Sequence, residues 1–225
     1  MVITTFTHID ALKAAVVTRD YTGENVQYLL SPLGRSEYNN LGLVDCEGTK
    51  ANLLTLRSKV LFFEVMEKIY SDPQTLLPYK IECTTSKLWS KEYVTEEYDQ
   101  KKFTVTIKRF KNKKLVSEKV IKSNEPIQNV VLFLFYLRRY PDLKIGWNFT
   151  ARVPAEVKPE LISIKLVLVS KDEIITPAGK FQAYHFKSIP NKFEVWFNVD
   201  EPRVPLKILS KGLIDYAILM KKYNR

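Results

Sequence analysis

Segments of alternating apolar and polar residues, separated by short polar turns, run through most of this sequence. The clearest is KKFTVTIKRF, residues 101–110, in which Phe103, Val105 and Ile107 alternate with polar side chains. Successive side chains of a β-strand point to opposite faces, so this pattern predicts a strand with one apolar face. A polar turn at residues 111–114 precedes a second such run, and the two runs predict a hairpin.

The second half of the chain repeats this pattern. Within ITPAGKFQAYHFKS, residues 175–188, the corner Pro177-Ala178-Gly179 separates two runs with large side chains. Glycine and proline supply turn conformations, so we predict a hairpin here. Two further polar turns are predicted at Asn39-Asn40 with Gly42 and at Lys171-Asp172. The predicted strands of this half are residues 161–169, 173–176, 180–187, 192–199, 204–209 and 213–223.

One segment has helical rather than strand periodicity. In VVLFLFYLRRYP, Val130, Phe133, Leu134 and Leu137 recur at the spacing of one helix face. Asn129 is a suitable N-terminal cap, the two arginines at 138 and 139 suit the C-terminal end, and a proline follows. We therefore predict a helical insertion near residues 129–139, with a fully buried strand as the competing interpretation.

These elements predict a mainly all-β fold, an antiparallel meander closed into a barrel or left as a half-barrel, with one short covering α-helix. An antiparallel sheet with bulky residues on both faces is curled around something or covered by something. Residues 25–225 form a single domain on this interpretation. Residues 1–24 form an N-terminal segment in which Ile9–Val17 fits a short helix.

The chain is basic, with a formal net charge of +10. Such a balance favours polyanionic partners, although charges scattered along a chain also serve solubility alone. The densest basic patch comprises Lys108, Arg109, Lys111, Lys113 and Lys114. Lysines at a hairpin tip are also the ordinary protection of a strand end, so nucleic-acid binding is the weaker interpretation.

The sequence contains no recognisable catalytic or metal-binding motif. Its two histidines, His8 and His185, have no second ligand at metal-binding spacing. Glycine-rich phosphate loops and a nucleophile elbow are also absent, so we expect no cofactor, no metal and no enzymatic activity. Cys46 and Cys83 would form one disulfide if the fold brings them together, or remain two buried thiols.

Aromatic side chains are concentrated in and after the predicted helix. An aromatic helix over a curled sheet can close a cavity that accepts an acyl chain, although a plain core helix explains the same residues. The candidate ligand-binding residues are Phe133, Phe135, Tyr136, Trp147 and Trp196.

Several motifs of the second half are familiar. The turn TPAGKFQAYHF, the segment FNVDEPRVPLKI and the strand GLIDYAILMKKY resemble the bacterial domain-of-unknown-function family numbered 3108. Weaker similarity in YSDPQTLLPYKIE, EEYDQKKFTVTIKR and NVVLFLFYLRR extends the resemblance over residues 20–223. The resemblance implies an antiparallel barrel-like fold in an exported envelope protein with no established activity.

The expected location depends on residues upstream of Met1. A leader removed there implies a periplasmic or envelope protein, and otherwise the protein is cytoplasmic. The N-terminal residues do not fit a signal peptide, and charges interrupt every apolar run before the length of a membrane span. The leading functional hypothesis is an envelope protein that holds or carries an apolar or amphiphilic, lipid-like ligand. The alternatives are a scaffolding envelope protein with a filled core and a protein partner, and a basic nucleic-acid binder.

Overall fold

A computed structural model describes residues 20–31, 34–155, 160–211 and 216–225. The short helix predicted at Ile9–Val17 lies outside these residues. The described chain forms one sheet of fourteen strands and one α-helix. The strands are β1 (Asn25–Ser31), β2 (Gly34–Cys46), β3 (Thr49–Val60), β4 (Phe63–Ser71), β5 (Pro78–Lys87), β6 (Ser90–Asp99), β7 (Thr104–Lys111), β8 (Lys114–Lys122), β9 (Asn148–Pro154), β10 (Leu161–Thr176), β11 (Gly179–Ile189), β12 (Phe193–Asn198), β13 (Pro205–Ser210) and β14 (Tyr216–Asn224).

The sheet is an antiparallel meander with one long-range joint. Strands β1 to β8 are sequential neighbours, strands β9 to β14 are sequential neighbours, and β1 pairs with β14 to join the two sets. The edge strands β8 and β9 do not pair with each other. Residues 123–128 lead from β8 towards β9, where Ile127 forms a parallel bridge with Arg152. The predicted fold class is confirmed, in the open form.

The hairpin predicted around the proline–alanine–glycine corner is confirmed. Thr176 pairs with Gly179, and Pro177 and Ala178 form the two-residue turn between β10 and β11. Gly179 has a φ of +136°, which a side chain would disfavour.

Two predicted turns are wrong, and both lie inside long strands that contain a β-bulge. The register shifts between Asn40 and Gly42 within β2, and between Leu168 and Ser170 within β10. An extra residue in one strand bends the sheet without reversing the chain, and it can use the same polar and glycine residues as a turn. The predicted break at residues 171–172 therefore lies inside a continuous strand.

The predicted helix is confirmed as α1 (Val130–Arg138). The Asn129 side chain accepts hydrogen bonds from the backbone N–H groups of Val131 at 2.8 Å and Leu132 at 3.3 Å. This cap satisfies two of the donors that a helix N-terminus leaves without partners.

The helix carries apolar side chains on both faces, and the sheet packs around it. One face carries Phe133, Leu134 and Leu137 into a cluster with β9 to β12. The other face carries Leu132, Phe135 and Tyr136 into a cluster dominated by strands of the first set. A helix that is hydrophobic all round is buried, so α1 fills the inside of the curl rather than lying over it.

The two cysteines are both free thiols. The sequence left open a disulfide or two separate thiols, and the structure has two separate thiols. Cys83 lies opposite Glu67 in the β4–β5 ladder, and burial raises the pKa of its thiol to about 12.

Candidate functional site

Three of the candidate ligand-binding residues, Phe133, Phe135 and Tyr136, are buried in the core around α1. The ring of Phe135 stacks on Tyr38 of β2 with centroids 4.4 Å apart. The rings of Phe133 and Tyr136 lie 5.4 and 5.0 Å from Phe149. The rings of these three residues therefore pack against other aromatic side chains of the protein, in the space that an enclosed ligand would need.

Trp147 belongs to the same aromatic cluster. Its ring lies 4.6 Å from Tyr140 and meets Phe186 edge-on at 6.2 Å. Tilted and edge-on contacts of this kind are the preferred geometries of packed aromatic rings. The structure thus brings together four of the five candidate residues around the helix.

Trp196, the fifth candidate, is buried in the cluster that also contains Leu132, Phe135 and Tyr136. It pairs with His185 across β11 and β12, and the two rings stack at 4.0 Å. Its indole N–H donates to Asp172 at 3.1 Å. The neighbouring strand residues Val195 and Phe197 project from the other side of β12, into the cluster of Phe133, Leu134 and Leu137.

The imidazole of His185 lies between two carboxylates. Nε2 is 2.7 Å from Glu194 and Nδ1 is 3.0 Å from Asp172. Burial opposes ionisation of both acids, but hydrogen bonds outweigh it: those from Ser170 and Trp196 lower the pKa of Asp172, and those from Lys211 and His185 lower that of Glu194. The partners lie on opposite sides of the ring, so this cluster orients Trp196 rather than chelating an ion.

The five residues of the predicted basic patch lie on the β7–β8 hairpin but do not form one surface. Lys108 and Arg109 are neighbours within β7, so their side chains point to opposite faces. Lys108 approaches Glu118 at 3.8 Å. Lys111, Lys113 and Lys114 are exposed at the turn.

Alternate connections between the first eight strands lie at one end of the sheet. Every second connection of an antiparallel meander lies at the same end, which here brings together the connections β1–β2, β3–β4, β5–β6 and β7–β8. We call this the hairpin-tip end. Its described turns are Leu61-Phe62, Leu88-Trp89 and Asn112-Lys113.

Two of these turns consist of exposed apolar residues. Trp89 is 92% exposed and Phe62 is 71% exposed, and Leu61 and Leu88 are exposed beside them. Phe63 follows at the start of β4 and is also exposed. A contiguous exposed apolar patch on a protein surface marks an interaction site.

Basic residues surround these apolar tips. Those within three positions of the four turns are Arg35, Lys59, Lys87, Lys91, Arg109, Lys111, Lys113 and Lys114. The acidic residues in the same range are Glu64 and Glu92, which lie 2.5 Å from Arg57 and 3.6 Å from Lys87. The turns at the opposite end of β2 to β7 carry Asp45, Glu47, Asp72, Glu97 and Asp99 beside Lys50, Lys80, Lys101 and Lys102. Positive charge is therefore concentrated at the hairpin-tip end.

A groove of about 580 Å³ opens at this end and is lined by residues of β1, β2, β3 and β14. We call it the tip groove, and its walls include Leu29, Ser31, Arg35, Lys59, Leu61 and Leu219. The hydrogen bond from Arg57, with the charges of Lys59 and Arg35, lowers the pKa of nearby Glu64. The groove thus combines leucine side chains with a positive electrostatic potential.

Sequence reasoning did not find the hairpin-tip end. The sequence predicts strands at Leu53–Val60 and Phe62–Tyr70, so it places a break at Leu61 but treats Phe62 as a strand residue. The available signal was the pair Leu88-Trp89, flanked by Lys87 and Ser90 where a turn is needed but with neither glycine nor proline.

Other kinds of site are not seen in the described part of the chain. No group of three or more histidine, cysteine or carboxylate side chains there could hold a metal ion. None of its helices is long and apolar enough to cross a membrane.

The fold defines a class, the antiparallel β-barrel-like proteins with an open sheet. Within that class, the chain belongs to the protein family of unknown function DUF3108, whose family model matches residues 53–214. The prediction from the sequence motifs is therefore confirmed. No relative was found among the curated proteins.

One solved structure shows the same fold at very low sequence identity. A β-barrel-like protein of domain of unknown function DUF1849 from Brucella abortus is 9% identical, with a TM-score of 0.56. The match covers 90% of this chain and 97% of that one. An exported-protein structure with a YmcC-like fold from Bacteroides fragilis is 7% identical over 94% of this chain and 100% of that one, but its TM-score of 0.31 carries no conclusion.

Proposed function

We propose that this protein is a non-enzymatic bacterial envelope protein that binds an anionic amphiphile in the tip groove. The observation that carries the proposal is the composition of the groove, in which Leu29, Leu61 and Leu219 lie beside Arg35 and Lys59. An acyl chain would lie along the leucines, and an acidic headgroup would lie between the two cations. Its envelope location rests on the expectation for exported members of the family.

The filled core argues for this location of the ligand rather than the space around α1. Phe133, Leu132 and Leu137 have no exposed surface, and close aromatic contacts occupy the centre of the curl. A ligand in the helix cluster would have to displace packed side chains, which costs the dispersion contacts they make. The tip groove is already open to solvent and requires no such displacement.

Calorimetric titration with dodecyl phosphate below its micelle concentration tests the proposal. We expect saturable binding, and weaker binding of dodecyl maltoside, which has the same chain length without a charge. The double variant Arg35→Glu, Lys59→Glu is expected to weaken dodecyl phosphate binding at least about tenfold, because it replaces attraction by repulsion at the headgroup position.

A matched control separates local from general charge effects. The variant Lys113→Glu, Lys114→Glu makes the same change in net charge at a turn outside the groove, and it should leave dodecyl phosphate binding within about twofold. Equal losses in both double variants, or equal affinities for the two detergents, would contradict the proposal.

The packed interior also favours a second candidate, a scaffolding envelope protein with a protein partner. A core without room for a ligand is what such a protein requires, and α1 provides it. Absence of saturable binding for both detergents would favour this candidate over the first.

A further inference from the structure

The residues at two hairpin tips are not explained by the turns they form. Leu61 has a φ of +48°, a conformation that turns ordinarily assign to glycine, asparagine or aspartate. In the β7–β8 hairpin both turn residues, Asn112 and Lys113, have positive φ values, +49° and +67°. Polar residues therefore serve such a turn equally well, so chain reversal does not account for an exposed leucine and phenylalanine at the β3–β4 tip.

The apolar tips form one continuous surface. The β3–β4 and β5–β6 turns are neighbours because β4 pairs with β5, and a second groove of about 600 Å³ lies between them. We call this surface the insertion patch, and its apolar residues are Val60, Leu61, Phe62, Phe63, Leu88 and Trp89. The indole of Trp89 is the outermost of these, as its 92% exposure shows.

Cations flank the insertion patch at the depth of the strand ends. Lys59 is the penultimate residue of β3, and Lys87 is the last residue of β5. The ammonium group of Lys87 lies 5.8 Å from the centre of the Phe63 ring. Lys113 and Lys114 extend the positive surface to the next hairpin. Apolar tips with a collar of cations match the profile of a bilayer interface, where acyl chains lie below acidic headgroups.

We propose that the hairpin-tip end docks on an anionic lipid bilayer, with Phe62, Leu88 and Trp89 inserted into the interface. Tryptophan is favoured at this depth because its ring is apolar and its N–H can remain in the headgroup layer. The lysines attract the acidic surface and remain among the headgroups. Docking does not require an occupied tip groove, so this inference goes beyond the binding of a single amphiphile.

Vesicle co-sedimentation of the full chain tests the docking surface. We expect binding to vesicles of phosphatidylcholine and phosphatidylglycerol at 3:1, and at least about tenfold weaker binding to phosphatidylcholine alone. The variant Phe62→Ser, Trp89→Ser should reduce partitioning at least about tenfold, and Lys113→Glu, Lys114→Glu by more than about fivefold per position.

A matched control removes exposed apolar side chains from elsewhere. Leu43 and Ile175 are 65% and 76% exposed, and Ile175 lies beside the β10–β11 turn at the opposite end of the sheet. The variant Leu43→Ser, Ile175→Ser should partition like the wild type. If this control variant loses as much vesicle binding as Phe62→Ser, Trp89→Ser, the proposal is overturned.

Insertion has a direct spectroscopic readout. On anionic vesicles, lipids brominated near the headgroup should quench tryptophan fluorescence in the wild type and not in Trp89→Ser, because Trp147 and Trp196 lie in the protein cluster and under His185. Quenching that persists in Trp89→Ser would overturn the proposal.

Two further results separate the inference from its neighbours. Self-association that depends on Phe62 and Trp89, without vesicle binding, would overturn docking and assign the patch to a second copy of the chain. Dodecyl phosphate affinity measured on Phe62→Ser, Trp89→Ser reports the tip groove alone. Failure of docking therefore leaves the amphiphile proposal standing, and the reverse also holds.

Discussion

The carboxylate of Glu24 and the guanidinium of Arg138 form a bidentate ion pair in which neither side chain has exposed surface. Arg138 Nη1 lies 2.8 Å from Oε2, and Nη2 lies 2.5 Å from Oε1. The ring of Tyr21 lies 4.3 Å from the guanidinium carbon of Arg138. Nε and Nη2 of Arg138 also donate hydrogen bonds to the carbonyl oxygen of Pro202. The pair fastens the last turn of α1 to the residue that precedes β1.

Breaking this pair should be strongly destabilising. Arg138→Met leaves Glu24 buried without its cation, and we expect a loss of about 3–5 kcal/mol in the free energy of unfolding. The double variant Glu24→Gln, Arg138→Met removes both charges and should recover part of that loss. Urea denaturation measures both values. The exposed pair Arg57–Glu64 is the control, since Arg57→Met should cost less than about 1 kcal/mol.

Glu96 should make stability fall as the pH rises. Burial raises the pKa of its carboxyl group, against the opposing effects of the Tyr98 hydrogen bond and of Arg109. The folded pKa is above the unfolded one, so the ionisation cost is absent below the unfolded pKa and complete above the folded pKa. Glu96→Gln should raise Tm at pH 8 and lose that advantage towards pH 4.

Glu194 should behave in the opposite way. Hydrogen bonds from Lys211 and His185 outweigh burial and lower its pKa. A lowered folded pKa contributes stability above the unfolded pKa, and that stability is lost as the pH falls through the folded pKa. Glu194→Gln should therefore lower Tm at pH 7, and the difference from the wild type should shrink towards pH 3. A difference that grows on acidification would contradict this assignment of the cluster.

The bulge glycine of β2 should tolerate a methyl group poorly. Gly42 has a φ of +75°, and an added Cβ would lie 2.6 Å from the Thr22 side chain. Gly48 has a similar φ of +83° but nothing within 4 Å of such a Cβ. Gly48→Ala should cost about 1–2 kcal/mol from conformation alone. Gly42→Ala should cost more, and equal costs in urea denaturation would show that Thr22 moves aside freely.

Local pattern was sufficient to predict the elements whose structure depends on nearby residues. The helix at residues 130–138 has its own cap and periodicity, and the Pro177 hairpin has its own turn chemistry. The β2 bulge at Asn40 was mistaken for a turn, because chain reversal and a one-residue register shift both use polar or glycine residues. The pair Lys171-Asp172 was mistaken for a turn because it is polar, although both residues pair regularly within β10. Only pairing with a neighbouring strand distinguishes the two.

The candidate site was less accessible from sequence. Phe62 and Trp89 are separated along the chain and become neighbours only because β4 pairs with β5. The five candidate aromatic residues were grouped by type, but the alternation of β12 separates Trp196 from Val195 and Phe197, and its ring stacks on His185. Glu24 and Arg138, 114 positions apart, carry no mutual signal in a single sequence.

The β1–β14 seam has a consequence for the order in which the molecule is built. Every other strand pair joins sequential neighbours, so each half of the meander can assemble from contacts that are local along the chain. The seam pairs Asn25 with Asn224, and it is the ladder with by far the greatest sequence separation. Closing so long a loop is entropically costly and slow. The two half-sheets are therefore expected to form first. We expect the pairing of β1 with β14 to be the rate-limiting step of folding.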